Sequence, residues 1–467
     1  MSAMRLEHDL LGNFEVSQDA YWGVHTARAV QNFPISGVPI GHYRSLIRAL
    51  ALVKQAAAEA NHAVGELDTH LKDAIVRACG EVAAGQFDNQ FIVDAIQGGA
   101  GTSTNMNANE VIANRALEHL GRQKGDYEHL HPLNHVNMSQ STNDVYPTAL
   151  KVALILELRN LIESMDHLRN SFARKSTEFA DVIKMGRTQL QDAVPMTLGQ
   201  EFATFARMTM EDEQRLRDVI PLLCEINLGG TAIGTQLNAP AGYSKLACER
   251  LSVLSGIPFV VAEDMVEATQ DAGVFVMVSG VLKRVAVKLS KTSNDLRLLS
   301  SGPRAGFGEI NLPPMQAGSS IMPGKVNPVI PEVVNQIAFA VIGYDMTVTM
   351  AAEGGQLQLN AFEPIITRAL MMGITQLSAG CRTLADRCVD GITANADKLR
   401  HDVERSIGLV TALSPTLGYE NATKVAQKAQ VEGKTVREVV LELGLMTPAE
   451  FEAILGDVDR LVRPLGK

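Results

Sequence analysis

The sequence predicts a mainly α-helical protein with a bundle of long helices at its centre. Aromatic residues make up only 5% of the 467 residues, and the chain carries 18 methionines; with many alanines and leucines, this composition favours helix over sheet. Between Leu154 and Phe179, large apolar residues recur in steps of three, four and seven, which is typical of a helix with a long apolar seam. Similar patterns recur four more times, so we expect five helices to share a core.

The helical patterns of the bundle cover Pro147–Ala180, Leu198–Cys224, Val274–Leu299, Pro331–Gly343 and Glu363–Val389. The first helix would be about 50 Å long at 1.5 Å per residue. The apolar seams are too broad for one chain to bury, so we predict that these helices also pack against those of other copies. The longest apolar runs are shorter than the ~18 to 20 residues that span a bilayer, so we expect a soluble protein.

The segments on either side of the bundle differ from it. The stretch from Met4 to Gly37 is irregular and predicts loops with one or two short strands. Three helices are then expected, at His42–His62, Asp68–Ala84 and Asn105–Leu120. Beyond about residue 397 the chain predicts short, charged helices, two of them with capping boxes at Thr435 and Thr447. We therefore predict an N-terminal domain (residues 1–143), a central bundle domain (144–397) and a small C-terminal helical domain (398–467).

Charge and cysteine content exclude several classes of function. The formal net charge of −10 argues against a general role at nucleic acids or membrane surfaces. The five cysteines are scattered and contain no CxxC pair, which indicates reduced thiols in the cytoplasm and disfavours a cysteine-ligated iron–sulfur cluster. His129, His131 and His135 have the spacing of metal ligands, but we interpret them as ordinary loop residues.

One polar stretch, Gly318–Pro328, has a composition that fits no core element. It contains Ser319 and Ser320, a lysine and an asparagine, with two glycines and two prolines that predict a loop. These groups could grip a small anion and remove a proton from it. The alternative is a polar surface loop that only joins two helices.

Four other polar segments could contribute to a site. Gln97–Ser103 is rich in glycine and leads into a helix, an arrangement that binds anions or is simply a flexible lead-in. Asn137–Asp144 precedes the longest helix. It contains more polar side chains than are needed to cap a helix, which suggests a ligand. Met185–Pro195 is predicted as a polar loop before a helix that starts at proline, and Asn227–Gly242 as a longer connection.

Gly318–Pro328 resembles the loop that marks the fumarase/aspartase superfamily. Three further segments carry the same resemblance, Gly99–Asn107, His135–Pro147 and Gly186–Pro195, and the likeness extends over nearly the whole chain. The residues at Gly99–Gly101 and Met138–Asp144 are similar to those of aspartases rather than fumarases. The chain is thus identified as a member of this superfamily by resemblance, and the fold and function that such membership implies are expectations.

The resemblance implies a mainly α, three-domain subunit of the fumarase/aspartase-like fold. It also implies a homotetramer in which the central domains form a multi-helix core, with active sites assembled from loops of three subunits. The implied reaction is the reversible anti-elimination of ammonia from L-aspartate to give fumarate. It requires no cofactor and no metal, although some members of the family are activated by divalent ions.

The resemblance assigns Ser319 as the general base that removes a proton next to a carboxylate. The resulting aci-carboxylate carries extra negative charge, so donors aimed at it should contribute most to catalysis. The implied contacts are Thr102, Ser141, Thr142 and Ser320 at the β-carboxylate, Lys325 and Asn327 with Thr188 at the α-carboxylate, and Asn143, Thr188 and Gln189 at the amino group. A free serine is too weak a base, so backbone N–H groups of the loop would have to stabilise its alkoxide.

Gln189 separates two reactions of the superfamily. Fumarases carry a histidine at the matching position, paired with a glutamate (here Glu332), to manage the proton of water. A glutamine cannot exchange a proton at neutral pH, but an ammonium group leaves with its own proton. The residue therefore favours deamination over hydration.

Three alternatives remain open. The chain could be a fumarate hydratase, or a lyase that adds a different amine to fumarate. The second is motivated by Gln236, which stands where the family usually has glycine. A catalytically silent structural protein, as among lens crystallins of the superfamily, is disfavoured because Ser319, Lys325, Asn327 and Thr188 are all present.

Overall fold

The computed structural model describes residues 3–462, apart from the side chain of Arg460. Within that range the chain is mainly helical, as predicted, and its eight short strands pair in four two-stranded sheets. The helices are α1 Val24–Asn32, α2 Arg44–Ala63, α3 Thr69–Ala83, α4 Thr102–His119, α5 Thr142–Glu178, α6 Leu198–Val219, α7 Tyr243–Ser255, α8 Met265–Gln270, α9 Gly273–Leu299, α10 Val329–Glu353, α11 Glu363–Arg387, α12 Ala396–Arg405, α13 Leu409–Leu417, α14 Tyr419–Glu432, α15 Val436–Glu442, α16 Pro448–Gly456 and α17 Val458–Val462. The strands are β1 Met4–Asp9, β2 Gly12–Ser17, β3 Ile183–Thr188, β4 Gln191–Thr197, β5 Glu225–Ile226, β6 Val260–Val261, β7 Ile310–Asn311 and β8 Thr393–Ala394.

The chain divides into two compact units, each assembled from three separate segments. Unit 1 contains the chain up to Ile162 together with Gln214–Arg284 and Phe339–Leu377. Unit 2 contains Glu163–Glu213, Val285–Ala338 and the chain from Ser378 onwards. The three domains expected from the sequence are continuous ranges of residues, whereas these units are discontinuous. The three domains stay a prediction.

The N-terminal region contains a helix that the sequence pattern did not indicate. β1 and β2 form an antiparallel hairpin as expected, but residues 24–32, expected as loop, form α1. Its N-cap, Gly23, offers no side chain, so distant carboxylates cap the helix instead: Glu110 accepts from the N–H groups of Gly23 and Thr26, and Glu7 from that of Val24. The cap is tertiary, which explains why local sequence did not reveal the helix.

The five long helices of the bundle, α5, α6, α9, α10 and α11, are all present. α5 is 37 residues long and begins at Thr142, so Pro147 lies inside it rather than at its start. Proline has no N–H to donate to the carbonyl four residues earlier, which belongs to Asn143. The Nδ2 of Asn227 donates to that carbonyl at 3.1 Å, so the acceptor freed by Pro147 is satisfied from another segment.

α10 is longer than predicted and leaves much of its apolar surface uncovered. It runs ten residues past the predicted end at Gly343, to Glu353. In the described part of the chain it is the helix whose length and composition would suffice to cross a bilayer, with 33% of its most apolar window buried. Such a helix is weak support for a membrane span, because core helices of soluble proteins pass the same criterion.

The segment expected as a polar loop, Met185–Pro195, is instead part of a hairpin. β3 and β4 pair antiparallel from Ile183 to Thr197, and Pro195 lies in β4, so the next helix starts at Leu198 and not at proline. The turn residues Gln189 and Leu190 both have positive φ, 52° and 64°. Two such residues define the turn of a tight hairpin, which Asn-Gly usually supplies. The sequence lacks that signal, so the hairpin could not be recognised.

The C-terminal helices α12 to α17 pack around a core of their own within unit 2. Phe451, Val436 and Leu413 are fully buried in it, together with Ile183 and Met185 of β3. Both predicted capping boxes are confirmed, at Thr435 with Glu438 and at Thr447 with Glu450. The five cysteines are buried and free.

Candidate functional site

The predicted site residues fall in both units. Unit 1 holds Thr102, Ser141, Thr142 and Asn143, and unit 2 holds Thr188, Gln189, Ser319, Ser320, Lys325 and Asn327. Within each unit they cluster at the ends of a few elements: the starts of α4 and α5 in unit 1, and the tip of the β3–β4 hairpin and the loop before α10 in unit 2. Each cluster can therefore be described by itself.

The start of α4 is shaped by a close approach of backbone to an aromatic ring. Gly101 has φ +90°, and a Cβ on it would lie 2.3 Å from Cδ2 of Tyr146, so only glycine fits. Thr102 follows as the first residue of the helix and is exposed. Its hydroxyl stands where free N–H groups and the helix dipole favour a negative charge.

The start of α5 carries Ser141 and Thr142 side by side. The Ser141 Oγ accepts from the N–H of Asn143 at 3.3 Å, and the Ser141 N–H donates to Asp144 Oδ1 at 3.0 Å. Thr142 Oγ1 accepts from Nδ2 of Asn105, on α4, at 3.1 Å. Both hydroxyl oxygens are thus acceptors, and no acceptor for either hydroxyl proton is assigned among residues 3–462. The Asn105 bond also ties the starts of the two helices together.

Asp144 connects this helix start to the Asn227–Gly242 segment. The carboxylate is fully buried, and its Oδ2 accepts from the N–H groups of Gly229 at 3.0 Å and Thr231 at 2.9 Å. A buried carboxylate with three backbone donors holds its surroundings firmly. The sequence analysis did not single out Asp144 or Asn105, because only the fold brings their partners to them.

Asn143 presents its side chain with a defined direction. Its Nδ2 donates to the carbonyl of Ala232 at 2.8 Å. The opposite end of the amide, Oδ1, is a hydrogen-bond acceptor, and within residues 3–462 it has no donor assigned to it. An ammonium group has donors only, so this orientation suits the role expected for Asn143.

Gln236 occupies a backbone conformation that favours glycine. Its φ is 60°, in the left-handed region where glycine has no steric cost. The side chain is exposed, and its Oε1 accepts from Ser244 Oγ at 3.3 Å. The Gln236 side chain is thus held by a contact with the start of α7.

The β3–β4 hairpin displays Thr188 and Gln189 at an exposed tip. Behind the tip, Glu309 is 1% exposed as a side chain and forms ion pairs with Lys184, at 2.6 Å, and with Arg187. The Arg187 guanidinium also lies 4.4 Å from the centre of the Phe307 ring. These contacts fix the strand that ends at Thr188, so Glu309 is a supporting residue that the sequence analysis missed.

The loop around Ser319 is built so that its hydroxyl oxygen receives two backbone donors. The N–H groups of Ile321 and Met322 point at Ser319 Oγ at 3.2 and 2.9 Å. Gly318 permits the fold of the loop, because a Cβ there would lie 2.0 Å from the Lys325 carbonyl oxygen. A pair of N–H groups on one oxygen is the arrangement that lowers the cost of an alkoxide.

The remaining predicted residues of this loop differ in exposure. Asn327 is half-buried, and its Nδ2 donates to the Gly318 carbonyl at 2.5 Å, closing the base of the loop. Ser320 and Lys325 are exposed. Glu332 lies in the first turn of α10, a few residues beyond the loop.

Two of the three histidines hydrogen-bond to the backbone of their own segment. Nδ1 of His131 accepts from the N–H groups of Leu133 and Asn134, and Nδ1 of His135 accepts from the His131 N–H at 2.8 Å. Burial lowers the pKa of both rings. Across the described residues, no group of three or more histidine, cysteine, aspartate or glutamate side chains could hold a metal ion.

Comparison with known proteins identifies the family. Residues 12–343 match the family described as Lyase, and residues 409–463 match the one described as Fumarase C C-terminus. The aspartate ammonia-lyase of Pseudomonas aeruginosa is 59% identical over 456 residues, which cover 97% of this chain and 96% of that relative.

Solved structures agree with this assignment. A fumarate lyase:delta crystallin from Brucella melitensis, bound to cobalt, has a TM-score of 0.96 at 54% identity, covering 99% of this chain and 100% of that one. A class II fumarase from Schistosoma mansoni has a TM-score of 0.91 at 36% identity, covering 98% and 99%. The chain therefore belongs to the lyase family of the fumarase/aspartase superfamily.

Proposed function

We propose that this protein is an aspartate ammonia-lyase, which converts L-aspartate reversibly into fumarate and ammonia. Curated relatives with that name are 53–59% identical over nearly the full length. The observation that carries the mechanism is the pair of N–H groups on Ser319 Oγ. It supplies what a serine needs to act as a base, since a free hydroxyl is far too weakly acidic at neutral pH.

In the proposed mechanism, Ser319 first loses its hydroxyl proton to solvent, and the alkoxide then takes the proton from the carbon next to the β-carboxylate and becomes a neutral hydroxyl. The electron pair left on that carbon moves into the carboxylate to form the aci-carboxylate, and then forms the carbon–carbon double bond as ammonia leaves. Ser320, Thr102, Ser141 and Thr142 donate to the charge that develops. Such donors stabilise the transition state more than the ground state, because the charge is largest there.

The substrate would be oriented by groups at its other end. Lys325, Asn327 and Thr188 bind the α-carboxylate, and Asn143, Thr188 and Gln189 surround the amino group. The free acceptor of Asn143, created by its bond to Ala232, supports this assignment. Because Gln189 lacks a proton to exchange, the site favours release of ammonia over addition of water.

Turnover assays separate this proposal from its alternatives. L-Aspartate, L-malate and a panel of other amines with fumarate would be incubated with the protein while fumarate absorbance is followed. We expect aspartate to be deaminated at least about 100-fold more efficiently than malate is dehydrated, a separation equivalent to ~2.7 kcal/mol in transition-state binding. Dominant malate turnover would instead make the protein a hydratase, preference for another amine would redefine the substrate, and no turnover would indicate a structural protein.

We also propose a homotetramer whose sites combine loops of different subunits. In unit 1, α10 leaves Phe339, Met346 and Met350 about two-thirds exposed, at 63%, 62% and 62%. Their spacing of seven and four residues aligns them along one face of the helix. An apolar stripe of this kind on a soluble protein marks an interface.

Light scattering after size exclusion tests this oligomer. The wild type should elute with four times the 50.3 kDa mass of the chain. Met346→Lys buries a charge at the proposed interface and should give dimers or monomers with little activity, whereas Lys245→Met, at an exposed position of α7, is the control that should change neither. A wild-type monomer with full turnover would contradict the shared site.

Three further expectations belong with this proposal. No cofactor or metal takes part in the steps above, so chelation with EDTA should leave basal turnover within about 2-fold, and added divalent ions could only activate. The five free, buried cysteines are consistent with a cytoplasmic protein. We retain three domains, residues 1–143, 144–397 and 398–467, as the functional division of the subunit.

A further inference from the structure

A chain of hydrogen bonds that begins at a buried lysine lies behind Thr142. The Lys54 side chain is fully buried, and its Nζ donates to Asn137 Oδ1 and to Gln140 Oε1, both at 2.9 Å. Within residues 3–462 no carboxylate reaches ion-pair distance of this nitrogen; Asp144 acts on it only through space. Burial, without a contacting counter-ion, lowers the pKa of Lys54 to about 7.

The lysine dictates the direction of each further hydrogen bond in the chain. An ammonium is a donor only, so Asn137 must offer it the amide oxygen and not the nitrogen. The same oxygen accepts from Asn105 Nδ2 at 3.1 Å, and Asn105 Nδ2 uses its second hydrogen on Thr142 Oγ1, also at 3.1 Å. The Thr142 oxygen therefore accepts, and its own proton is available in another direction.

The orientation of the Asn105 amide leaves one of its own atoms without a hydrogen bond. Asn105 Oδ1 is buried and has no hydrogen-bond partner in the described chain. Turning the amide over would give that oxygen the Thr142 hydroxyl as a donor, but it would set two amide oxygens against each other at Asn137. The contact with Asn137, and through it with Lys54, outweighs the cost of the unsatisfied oxygen.

We propose that Lys54, Asn137 and Asn105 are positioning residues that hold the Thr142 hydroxyl as a hydrogen-bond donor to an anionic carboxylate of the substrate. This inference rests on the proposed function. The hydroxyl is pre-oriented before the charge appears, so no reorientation opposes the reaction. When Lys54 is protonated, its positive charge at the far end of the same chain favours negative charge at the same place.

α4 supplies a matched control for this role. Asn109 also donates through Nδ2 to Asn137 Oδ1, at 3.2 Å, and its Oδ1 is likewise buried without a partner in the described residues. It is as deeply buried as Asn105, but no hydrogen bond in the described part of the chain joins it to Thr142. A purely structural contribution would thus be shared by the two asparagines, and an effect on Thr142 would not.

The test is a double-mutant cycle measured on the assembled enzyme. Asn105→Leu should lower kcat for L-aspartate about 10- to 100-fold with a smaller change in KM, because the donor matters most to the developing charge. Asn109→Leu should lower kcat less than about 3-fold for a similar loss of Tm. In a Thr142→Val background, which removes the hydroxyl, Asn105→Leu should have less than about a 2-fold further effect.

Other readouts keep the test decisive. If Asn105→Leu does not fold, Asn105→Ala replaces it in the same cycle, and Lys54→Met should lower kcat in the same direction. Fumarate affinity, measured by calorimetry, is compared across all variants. Independent, multiplicative effects of Asn105 and Thr142 in an active wild type would overturn this inference alone. A wild type that neither deaminates aspartate nor binds fumarate would overturn the proposed function and this inference with it.

Discussion

The start of α5 and the loop that carries Ser319 hold serine and threonine hydroxyls in opposite ways. At the start of α5, Thr142 is 9% exposed, and the neighbouring Asp144 is fully buried under three backbone donors. The Ser319 loop is exposed over most of its length, and it is held at its base by Asn327. One region is part of a packed interior, and the other is a surface segment.

The difference in packing matches the different tasks proposed for the two regions. Groups that stabilise a developing charge work best when they are fixed in advance, because the surroundings then need not reorganise. A base that must approach a substrate carbon needs access, and an exposed loop can close over the substrate afterwards. Fixed donors therefore suit the helix start, and a base on a largely exposed loop suits the approach to the substrate.

The largest effect is expected from the loop. Ser319→Ala removes the proposed base and should lower kcat for L-aspartate by at least about 10³-fold, within the range for loss of a general base. Because Ser319 Oγ also accepts from two backbone N–H groups, the substitution should cost about 1 kcal/mol of stability, while the oligomeric state should not change. Steady-state rates, circular dichroism and light scattering check this, with Ser301→Ala as a loop control. Residual activity within about 10-fold of the wild type would contradict the role of Ser319.

A smaller effect is expected at the start of α5. Ser141→Ala removes one donor to the developing charge, which should cost about 10²-fold in kcat. Because Ser141 Oγ also accepts from the Asn143 N–H, the substitution should also reduce stability by about 1 kcal/mol. Rates and urea unfolding test the two parts. A lower free energy of unfolding with unchanged kcat would show that Ser141 has only a structural role.

A substitution of Gln236 tests whether the strained backbone at this position affects only stability or also catalysis. Gln236→Gly relieves a left-handed backbone that costs a non-glycine residue about 1 kcal/mol, and should stabilise the protein by a similar amount while kcat for aspartate changes less than about 2-fold. Urea unfolding and the fumarate assay measure this. A large change in the preference between amines would instead make Gln236 a specificity residue.

The interior beside α5 should also make stability depend on pH. Burial raises the pKa of Glu363, the first residue of α11, to about 8, against the opposing effect of Lys151 on α5. The folded state then binds more protons than the unfolded state between the ordinary value of 4.5 and about 8, so stability falls as pH rises through this window. Glu363→Gln should flatten the dependence of Tm on pH there, and an unchanged dependence would contradict it.

The sequence predicted those elements whose cause is local. The long helices followed from apolar seams, and the two capping boxes followed from a threonine and a glutamate three residues apart. α1 and the β3–β4 hairpin were not predicted. α1 is capped by Glu7 and Glu110, which are distant in sequence. The turn of the hairpin is formed by Gln189 and Leu190. α1 thus depends on tertiary contacts, and the hairpin on a turn whose two residues carry no recognisable turn signal.

The candidate site divides in the same way. Its polar loops could be found because serine, threonine and glycine accumulate there, and the resemblance supplied their proposed roles. The supporting residues could not be found, because Asn105, Asp144 and Glu309 gain their meaning only from partners that the fold delivers. A buried polar residue within a helical pattern is ambiguous until its neighbours are known.

A crystal structure of the assembled enzyme with bound succinate tests the central claim most directly. Succinate keeps both carboxylates of the substrate and the carbon that loses its proton. With the loop closed, the proposed mechanism predicts Ser319 Oγ about 3 to 3.5 Å from a methylene carbon, the distance of a reactive arrangement, and the carboxylate next to that carbon on the hydroxyls of Ser141 and Thr142. A closed loop that keeps the Ser319 oxygen beyond reach of both methylenes would contradict it.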